Sequence, residues 1–345
     1  MAHGISLPLC HQGTEAENKT MTLHINEAEV RAVLTMPQAL EAVEEILRKQ
    51  STGEVVVHPR RRFELPGGGF FHYMAAADYS AGYVAMKQYT YVRGKLQFLV
   101  PLYEVARGDL LAQIEADYMG QLRTGAASGV ATKYLARKDS RVAAIIGTGG
   151  QARTQLEAVA MVRKLESVRA YGRDGAKQER FCAEMSERIG IPVHPCSSAG
   201  EAVRGADIIS TATTASQPVV HGADLSPGVH INAIGANHAH KRELDDEAVA
   251  SADVIVVDSI EQSRQEAGDL IIAFHGDEIC WTGVKKLSEI VAGKAIGRTS
   301  DTEVTLFKSN GIASWDLAVA MLVYAKAKEK GLGRELPLWS DGAKS

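Results

Sequence analysis

The chain has 345 residues, of which 45% are apolar and 23% are charged, and its net charge at pH 7 is −4. This length is sufficient for two domains, because single hydrophobic cores rarely grow beyond about 250–300 residues. The negative charge and the lack of a basic stripe argue against nucleic-acid binding, and no apolar run reaches the ~18 residues of a membrane span.

The sequence contains four cysteines, which are Cys10, Cys182, Cys196 and Cys280. They are widely spaced and form no C-x-x-C motif, so they indicate neither a disulfide framework nor a structural zinc site. This cysteine usage fits a reducing cytoplasm. The N-terminus has too short an apolar stretch for a secretory signal. Residues 1–20 are expected to be a flexible extension, because a cleaner apolar pattern begins at Met21.

Three kinds of pattern follow one another in the first 140 residues. Residues 28–50 carry apolar side chains at three- and four-residue spacing, which predicts helices. Residues 55–115 consist of short apolar stretches separated by glycine or proline, which indicates an antiparallel sheet. A helix is predicted over 119–137, where the small residues at 125–129 permit close packing against a neighbour.

From residue 139 onward, short β-branched runs alternate with amphipathic stretches. Strands that alternate with helices predict a parallel, doubly wound sheet. The late periodic segment "SWDLAVAMLVYAKAKEKG" is a helix that does not belong to this alternation. We therefore expect an α/β fold with a Rossmann-type parallel-sheet domain over 139–304 and an α+β domain formed by 21–138 together with 305–345.

The segment "VAAIIGTGGQA" contains the motif G-x-G-x-x-A between an apolar strand and an amphipathic helix. The first glycine permits a tight turn, the second lets the backbone approach a pyrophosphate, and the small third residue lets helix and strand pack closely. The helix N-terminus adds free N–H groups and a positive dipole end. The alternative is a glycine-rich turn without a ligand, but such a turn does not need a strand directly before it and a helix directly after it. The predicted cofactor contacts are Gly147, Thr148, Gly149, Gly150, Gln151, Ala152, Arg173, Thr124 and Thr211.

The end of the next strand decides between the two dinucleotides. An acidic residue there binds the ribose 2′-hydroxyl of NAD, whereas a nearby arginine suits the 2′-phosphate of NADP. Here Gly172 occupies the position and Arg173 follows it, so the sequence favours NADP(H) over NAD(H). Asp174 is one position further and keeps ribose binding open as the alternative.

The basic residues ahead of the glycine motif that are candidate substrate ligands are Arg60, Arg61 and Arg62 after Pro59, together with Lys87 and Arg123. Lys87 lies in the apolar stretch "YVAMKQYTYV". Either it points to solvent with its stem packed, or it is a desolvated amine with a lowered pKa that moves protons to or from a substrate nitrogen. Arg123 lies in a helix of small residues, where a guanidinium suits bidentate binding of a carboxylate.

Five segments in order resemble those of the ornithine cyclodeaminase/mu-crystallin family, from Met21 to about Gly333. They are "LRTGAASGVATKYLAR", "IIGTGGQA", "INAIGANHAHKRELD", "VVDSIEQSRQEAGDL" and "TLFKSNGIASWDLAVA". The resemblance implies a homodimer whose first domain, completed by the C-terminal helix, binds substrate and dimerises, while the Rossmann domain binds the nicotinamide cofactor. It also implies an active site between the domains.

The same resemblance implies roles for individual residues. Arg61, which fits the family's P-x-R pattern better than Arg60, would hold the substrate carboxylate together with Arg123. Lys87 would be the proton donor or acceptor near the substrate nitrogen. His72 lies near the place where some members have an additional arginine, and it is included among the predicted substrate contacts.

The "GANHAHKREL" segment carries the second predicted catalytic position, Asn237. Deaminating family members have an aspartate there, followed two residues later by a proline, whereas this chain has Asn237 and Ala239. An amide cannot accept a proton at working pH, which argues against cyclodeamination. His238 and His240 are too few ligands for a metal, so we predict none.

The sequence therefore predicts a cytoplasmic NAD(P)H-dependent enzyme that reduces an imine next to a carboxylate, of the ketimine or Δ1-pyrroline-2-carboxylate type, or oxidises the corresponding amino acid. Its partners would be a small imino or amino acid and a second copy of the chain, with no nucleic acid or membrane. The alternatives are an ornithine cyclodeaminase with bound NAD, an alanine dehydrogenase-like enzyme, and a non-catalytic ligand binder like mu-crystallin.

Overall fold

Seven strands form a largely antiparallel sheet that includes residues 55–115, as predicted. The computed structural model describes residues 21–338, so the expected extension at 1–20 lies outside the described residues. The strands are β1 (Thr22–Ile25), β2 (Val55–Glu64), β3 (Phe70–Asp78), β4 (Tyr83–Val92), β5 (Lys95–Glu104), β6 (Leu110–Glu115) and β15 (Arg334–Leu336). Their order is β15-β1-β6-β5-β4-β3-β2, and only β1 and β6 run parallel among these neighbours.

Four helices pack against the first sheet and against one another. They are α1 (Glu27–Val33), α2 (Met36–Thr52), α3 (Asp117–Leu135) and α11 (Ala313–Glu329). The small residues of α3 permit close packing, as predicted. A Cβ atom at Gly125 would lie 2.4 Å from the carbonyl oxygen of Thr154, and one at Gly129 would lie 2.6 Å from a methyl group of Leu40. Helix α3 is therefore buried against neighbours from both parts of the chain.

Eight strands form a parallel sheet from residue 142 onward. They are β7 (Val142–Ile146), β8 (Ser167–Tyr171), β9 (Val193–Pro195), β10 (Ile208–Thr211), β11 (His230–Ala233), β12 (Val254–Val257), β13 (Lys285–Lys286) and β14 (Thr305–Lys308). Their order is β13-β12-β14-β11-β10-β7-β8-β9, with every neighbouring pair parallel. The strand order reverses beside β7, which is the kind of position where doubly wound sheets bind ligands.

The helices of the second part connect these strands. They are α4 (Gly150–Val162), α5 (Gly175–Ile189), α6 (Ala199–Val203), α7 (Asp246–Ala250), α8 (Ile260–Glu266), α9 (Gly268–Ala273) and α10 (Leu287–Val291), with short 3-10 helices at Gly222–Asp224 and Glu278–Gly283. None of the helices described for residues 21–338 has the length and apolar character that crossing a bilayer requires.

The predicted domain boundary at residue 305 is wrong by one strand. Strand β14 (Thr305–Lys308) lies inside the parallel sheet, between β11 and β12. The sequence places it next to the C-terminal helix, and a fully buried four-residue run has no periodicity that separates a strand from a helix. The chain therefore returns to the first sheet only after Lys308.

The return segment at 309–312 joins the two sheets and is held by one buried carboxylate. Asp258, directly after β12, accepts hydrogen bonds from the backbone N–H groups of Asn310 at 2.8 Å and Gly311 at 2.7 Å. Helix α11 then begins at Ala313, and its Trp315 is fully buried in a core that also contains Phe307 of the parallel sheet. The first turn of α11 is thereby fixed between the two sheets.

Candidate active site

The glycine loop between β7 and α4 has the geometry that its motif predicts. Gly147 has φ +109°, and a Cβ atom there would lie 2.4 Å from the carbonyl oxygen of Ala212, so only glycine fits this turn. Gly149 precedes the first turn of α4 and has open space where a Cβ atom would be, and Ala152 is buried. The open N-terminus of this 13-residue helix fits a dinucleotide pyrophosphate.

One arginine that the motif does not reveal holds the glycine loop. Arg153 donates to the carbonyl oxygens of Thr148 and Gly149, each at 3.1 Å, and its guanidinium also pairs with Glu184. These two carbonyl groups of the loop are thus hydrogen-bonded to Arg153. The side-chain oxygen of Gln151, in the first turn of α4, is buried without a hydrogen-bond partner among the described residues. As an acceptor, this oxygen suits a donor such as a ligand hydroxyl group or a water molecule.

Two of the predicted cofactor contacts have their hydroxyl groups engaged elsewhere. Thr211 donates to the Glu243 carboxylate at 2.7 Å, and Thr124 donates to the carbonyl oxygen of Gly120 at 2.8 Å within α3. Neither hydroxyl proton is left for a cofactor, so this placement does not support direct donation from Thr211 or Thr124. The acceptor of Thr211 is 32 residues away in sequence and cannot be inferred from the strand that contains the threonine.

The end of β8 places three predicted residues beside the glycine loop. A Cβ atom at Gly172 would lie 2.7 Å from the Thr148 hydroxyl oxygen, so the two segments are in contact. Arg173 is exposed. The carboxylate of Asp174 caps α5 by accepting from the backbone of Lys177 at 3.0 Å, and this bond lowers the pKa of Asp174. Asp174 is therefore already committed as a helix cap.

Lys87 and Arg123 share one buried carboxylate. The Lys87 Nζ atom lies 3.0 Å from Asp316 Oδ1, and the Arg123 Nε atom lies 3.1 Å from the same oxygen. Lys87 is 4% exposed and Arg123 is 5% exposed, which decides between the solvent-pointing and the desolvated alternatives for the lysine. Burial lowers the pKa of Lys87 to about 8, against the opposing effect of Asp316.

The sequence reasoning missed Asp316, which completes this cluster. It is the one charged residue in the stretch "ASWDLAVAMLVYA" at the start of α11, and this isolation in an apolar helix was the available signal. A second oxygen of Asp316, Oδ2, and the Nη1 atom of Arg123 are buried without hydrogen-bond partners among residues 21–338. The free Nη1 donor of Arg123, buried beside Lys87, can bind a substrate carboxylate.

Strand β2 turns Arg60, and not Arg61, towards the cleft between the two sheets. The pairing of β2 with β3 shifts register between His58 and Arg61, so the inward-facing positions change from odd to even numbers. Arg60 is 7% exposed, whereas Arg61 is exposed and pairs with Tyr73 on the other face. The choice of Arg61 over Arg60 is therefore not supported, because the bulge cannot be read from the P-x-R spacing.

Arg60 is itself occupied by groups of the second part. Its Nη1 atom donates to Glu266 at 2.6 Å, and its Nη2 atom donates to the carbonyl oxygens of Asn310 at 2.7 Å and Gly311 at 3.3 Å. Its backbone N–H donates to the side chain of Gln262 at 3.4 Å. These bonds tie the first sheet to α8 and to the return segment. Arg60 is thus a link across the cleft, with only Nε left without a partner among the described residues.

The inward face of β3 and β4 continues beyond Lys87 with His72 and Tyr89. His72 is 4% exposed, and its Nδ1 atom lies 2.6 Å from the Tyr89 hydroxyl oxygen. Phe70 stacks on the His72 ring with centroids 4.3 Å apart. Burial lowers the pKa of His72 to about 3, and the charges of Arg60 and Arg62 act in the same direction. This wall of the cleft is therefore aromatic and neutral.

A model of the ornithine cyclodeaminase/mu-crystallin family matches residues 19–331. The chain belongs to this family. It is 41% identical over 243 residues to Δ1-pyrroline-2-carboxylate reductase of Bacillus cereus, with 69% of this chain and 73% of that protein covered. It is 35% identical over 324 residues to alanine dehydrogenase of Archaeoglobus fulgidus, with 91% and 98% covered. The structure of Thermococcus litoralis Δ1-pyrroline-2-carboxylate reductase in complex with NADH and L-proline matches with a TM-score of 0.88 and 38% identity, over 91% and 100% of the two chains.

The resemblance drawn from the motifs is thus confirmed, and with it the Rossmann-type α/β fold. The family segment "GANHAHKREL" (residues 235–244) lies in the loop after β11, and we name residues 234–244 the cleft loop. Asn237 and His238 are half-buried on it, and His240 is exposed. Burial, together with the charge of Arg62, lowers the pKa of His238 to about 4. His238 therefore lies within electrostatic reach of the arginines on the opposite wall.

Buried charges hold the cleft loop from beneath. The Glu243 carboxylate accepts hydrogen bonds from the backbone of Gly235 at 2.7 Å and of Thr213 at 2.8 Å. Lys308 pairs with Asp269 at 2.9 Å and donates to the carbonyl oxygen of Ala236. These groups fix the backbone on both sides of Asn237 at the carboxyl end of the parallel sheet, where doubly wound folds bind ligands.

In this family member the described residues contain no arrangement that suits a metal ion. Within 21–338, no three His, Cys, Asp or Glu side chains form a group that could hold one. The rings of His238 and His240 lie edge to face with centroids 5.6 Å apart.

Proposed function

We propose that the chain reduces an imine next to a carboxylate with hydride from a nicotinamide cofactor, and oxidises the corresponding amino acid in reverse. The observation that carries this proposal is the buried contact of Lys87 and Arg123 with one oxygen of Asp316, at 3.0 and 3.1 Å. Two cations and one anion leave a net charge of +1 in a buried site, which matches a substrate with one carboxylate. The family relatives named above support the reaction class.

Each residue of the cluster then has a separate role. Arg123 holds the carboxylate through its free Nη1 atom, and Asp316 keeps both cations in place. Lys87, as the ammonium, donates a proton to the substrate nitrogen, and as the neutral amine it takes that proton back in the reverse direction. Asn237 presents an amide that can hydrogen-bond but cannot act as a base. The bound nicotinamide supplies or accepts the hydride.

The substrate we propose is a cyclic imine of the Δ1-pyrroline-2-carboxylate type. Two relatives bear the name of that reductase, and one of them was determined with L-proline. The apolar ring of Phe98 lies 5.0 Å from Lys87 Nζ and suits the carbon skeleton of a small ring.

Between the two nicotinamide dinucleotides we propose NADP(H). The carboxylate nearest the ribose position, on Asp174, caps α5 and pairs with Lys177 at 3.5 Å. Arg173 stands exposed beside it and supports binding of a 2′-phosphate. The Thermococcus litoralis relative was determined with NADH, so the proposed preference for NADP(H) rests on Gly172 and Arg173 of this chain alone.

We propose further that the chain acts as a homodimer in the cytoplasm. Phe63, Phe71 and Tyr73 form a ring cluster on the outer face of β2 and β3, with ring centroids 6.0–6.4 Å apart, and Phe63 is 57% exposed. An exposed aromatic patch of this kind suits a second copy of the chain.

The described cysteines are all free thiols, which supports the proposed location in a reducing compartment.

A substrate panel tests the proposed function. Δ1-Pyrroline-2-carboxylate, Δ1-piperideine-2-carboxylate and 2-oxo acids mixed with ammonia are each supplied with NADPH or NADH, and the loss of nicotinamide absorbance is followed. We expect turnover of a cyclic imine and a lower KM for NADPH. Conversion of ornithine to proline without net change in nicotinamide absorbance would instead identify a cyclodeaminase, and turnover of pyruvate with ammonia alone an alanine dehydrogenase.

A further inference from the structure

His72 and Tyr89 form a buried polar pair that the proposed chemistry does not use. The His72 Nδ1 atom and the Tyr89 hydroxyl oxygen are 2.6 Å apart, and His72 is 4% exposed. The other ring nitrogen, Nε2, is buried and has no hydrogen-bond partner among residues 21–338. A buried polar atom without a partner costs stability unless a ligand or water completes it. We name these two side chains the neutral pair.

The neutral pair lies directly beside the reaction centre. In the register of β3 and β4, His72 faces Tyr89 and Met74 faces Lys87, so the pair is one inward-facing position away from the lysine. That step is about 7 Å along a strand. The Phe98 ring bridges the two places, with its centroid 5.0 Å from Lys87 Nζ and 4.8 Å from the Tyr89 ring. The distance fits the far side of a five- or six-membered ring whose nitrogen is at Lys87.

The neutral pair carries no charge in the working pH range. Burial and the nearby arginines lower the pKa of His72 to about 3, and burial raises the pKa of Tyr89. A neutral imidazole that bonds through one nitrogen presents the other as a single donor or a single acceptor, according to its tautomer. The pair can therefore match a neutral polar group but offers neither a full charge nor a counter-ion.

The two nearest arginines do not change this character. Arg60 donates through both terminal nitrogens to Glu266 and to backbone carbonyl groups. The Arg62 guanidinium pairs with Glu64 at 2.8 Å and lies 4.5 Å from the Phe70 ring, which itself stacks on His72. The Arg62 guanidinium is therefore held by the Glu64 carboxylate and by the face of the Phe70 ring.

We propose that His72 and Tyr89 form a specificity site for an uncharged hydroxyl group on the substrate ring, so that a hydroxylated cyclic imine carboxylate is preferred over the unsubstituted one. A hydroxyl group both donates and accepts, so it completes His72 Nε2 in either tautomer. A second carboxylate would meet only arginines whose charges are already paired with Glu266 and Glu64, and an ammonium group would lack an anion. The inference rests on the proposed imine reductase function and names the substrate within it.

The test compares kcat/KM for Δ1-pyrroline-2-carboxylate with kcat/KM for its 3-hydroxy and 4-hydroxy derivatives. In the unaltered chain we expect at least one hydroxylated imine to be favoured by about tenfold, the effect of one hydrogen bond in a buried site. His72→Leu should reduce this ratio about tenfold, and His72→Gln, which keeps a polar group near Nε2, should restore part of it. Tyr79→Phe, at an exposed position directly after the same strand, is the control and should leave the ratio unchanged.

Three results would overturn the proposal. One is a ratio near unity in the unaltered chain, and another is a ratio that His72→Leu does not alter, as expected if Nε2 binds only water. The third is preferential turnover of a dicarboxylic imine, which would mean that the arginines bind an anion there. Turnover of unsubstituted Δ1-pyrroline-2-carboxylate without discrimination refutes the specificity site alone, whereas no turnover of any cyclic imine refutes the proposed function.

Discussion

Asp316 and Lys87 are 229 residues apart in sequence, yet the Asp316 carboxylate accepts a hydrogen bond from the Lys87 ammonium at 3.0 Å in a buried site. The lysine comes from β4 of the first sheet, and the aspartate comes from the first turn of α11, which follows the return segment. This contact makes the active site depend on two segments of the first part that lie far apart in the sequence. It also sets the charge state of the proposed acid.

Removing the charge of Asp316 should shift the pH profile of imine reduction. The carboxylate raises the pKa of Lys87 against the larger effect of burial, and the balance leaves that pKa at about 8. Asp316→Asn takes away the raising effect, so the ammonium should be lost at a lower pH than in the unaltered chain. We expect the alkaline limb of kcat/KM against pH to move below about pH 8. Asp139→Asn, at an exposed site, is the control, and an upward shift in the Asp316 variant would contradict the account.

Arg123 should determine the preference for substrates with a carboxylate. Its Nη1 atom is the free buried donor of the cluster, and charge-assisted hydrogen bonds are worth about 1.5–3 kcal/mol. Arg123→Lys keeps the charge but loses the forked geometry, so KM for Δ1-pyrroline-2-carboxylate should rise about 10- to 100-fold. Δ1-Pyrroline, which lacks the carboxylate, serves as the comparison substrate. An equal rise in KM for both imines would mean that Arg123 does not bind the carboxylate.

The pairing of Arg60 with Glu266 should stabilise the junction of the two sheets. Both groups are largely buried, and the Nη1 to carboxylate distance is 2.6 Å. Breaking one partner of a buried pair costs about 3–5 kcal/mol, because the other charge is left uncompensated. We expect Arg60→Met and Glu266→Gln each to lower Tm, and the double variant to lower it by less than their sum. Arg61→Ala, at the exposed neighbouring position, should change the free energy of unfolding by no more than about 0.5 kcal/mol. Additive effects would refute the pairing.

Arg173 should set the choice of cofactor. Arg173→Ala removes the cation proposed to bind the 2′-phosphate. Lys164→Ala, which removes a cation at another exposed position, is the control. We expect the ratio of kcat/KM for NADPH to that for NADH to fall about tenfold in the Arg173 variant, as expected for one lost charge contact. A ratio that stays constant would show that groups other than Arg173 distinguish NADPH from NADH.

The sequence predicted the elements whose signals are local. The glycine motif defines its own strand, turn and helix, and the helix predicted over 119–137 is observed as Asp117–Leu135. Lys87 was found because a lysine in an apolar strand is unusual. Whether it was buried depended on packing by α11, which the pattern of β4 alone does not contain.

The remaining features depend on partners that are distant in sequence. The bulge between His58 and Arg61 turns Arg60 inward in place of Arg61. The position of the bulge follows from the pairing of β2 with β3, which the local sequence does not show. Strand β14 was assigned to the wrong part because a short run buried on both faces has no period. The engagement of Thr211 by Glu243 likewise arises only when the cleft loop folds back on β10.

The most direct test of the proposed chemistry is the kcat for imine reduction after Lys87→Ala, compared with Lys95→Ala at an exposed position in the adjacent strand. Asp316 keeps its partner Arg123 in the Lys87 variant, so the fold should persist, and Tm verifies this. Loss of a positioned general acid predicts a kcat lower by about 10²–10⁴-fold, with no comparable loss in the Lys95 variant. A folded Lys87→Ala protein that reduces the imine within a few-fold of the unaltered rate would contradict the assignment of Lys87 as the proton donor.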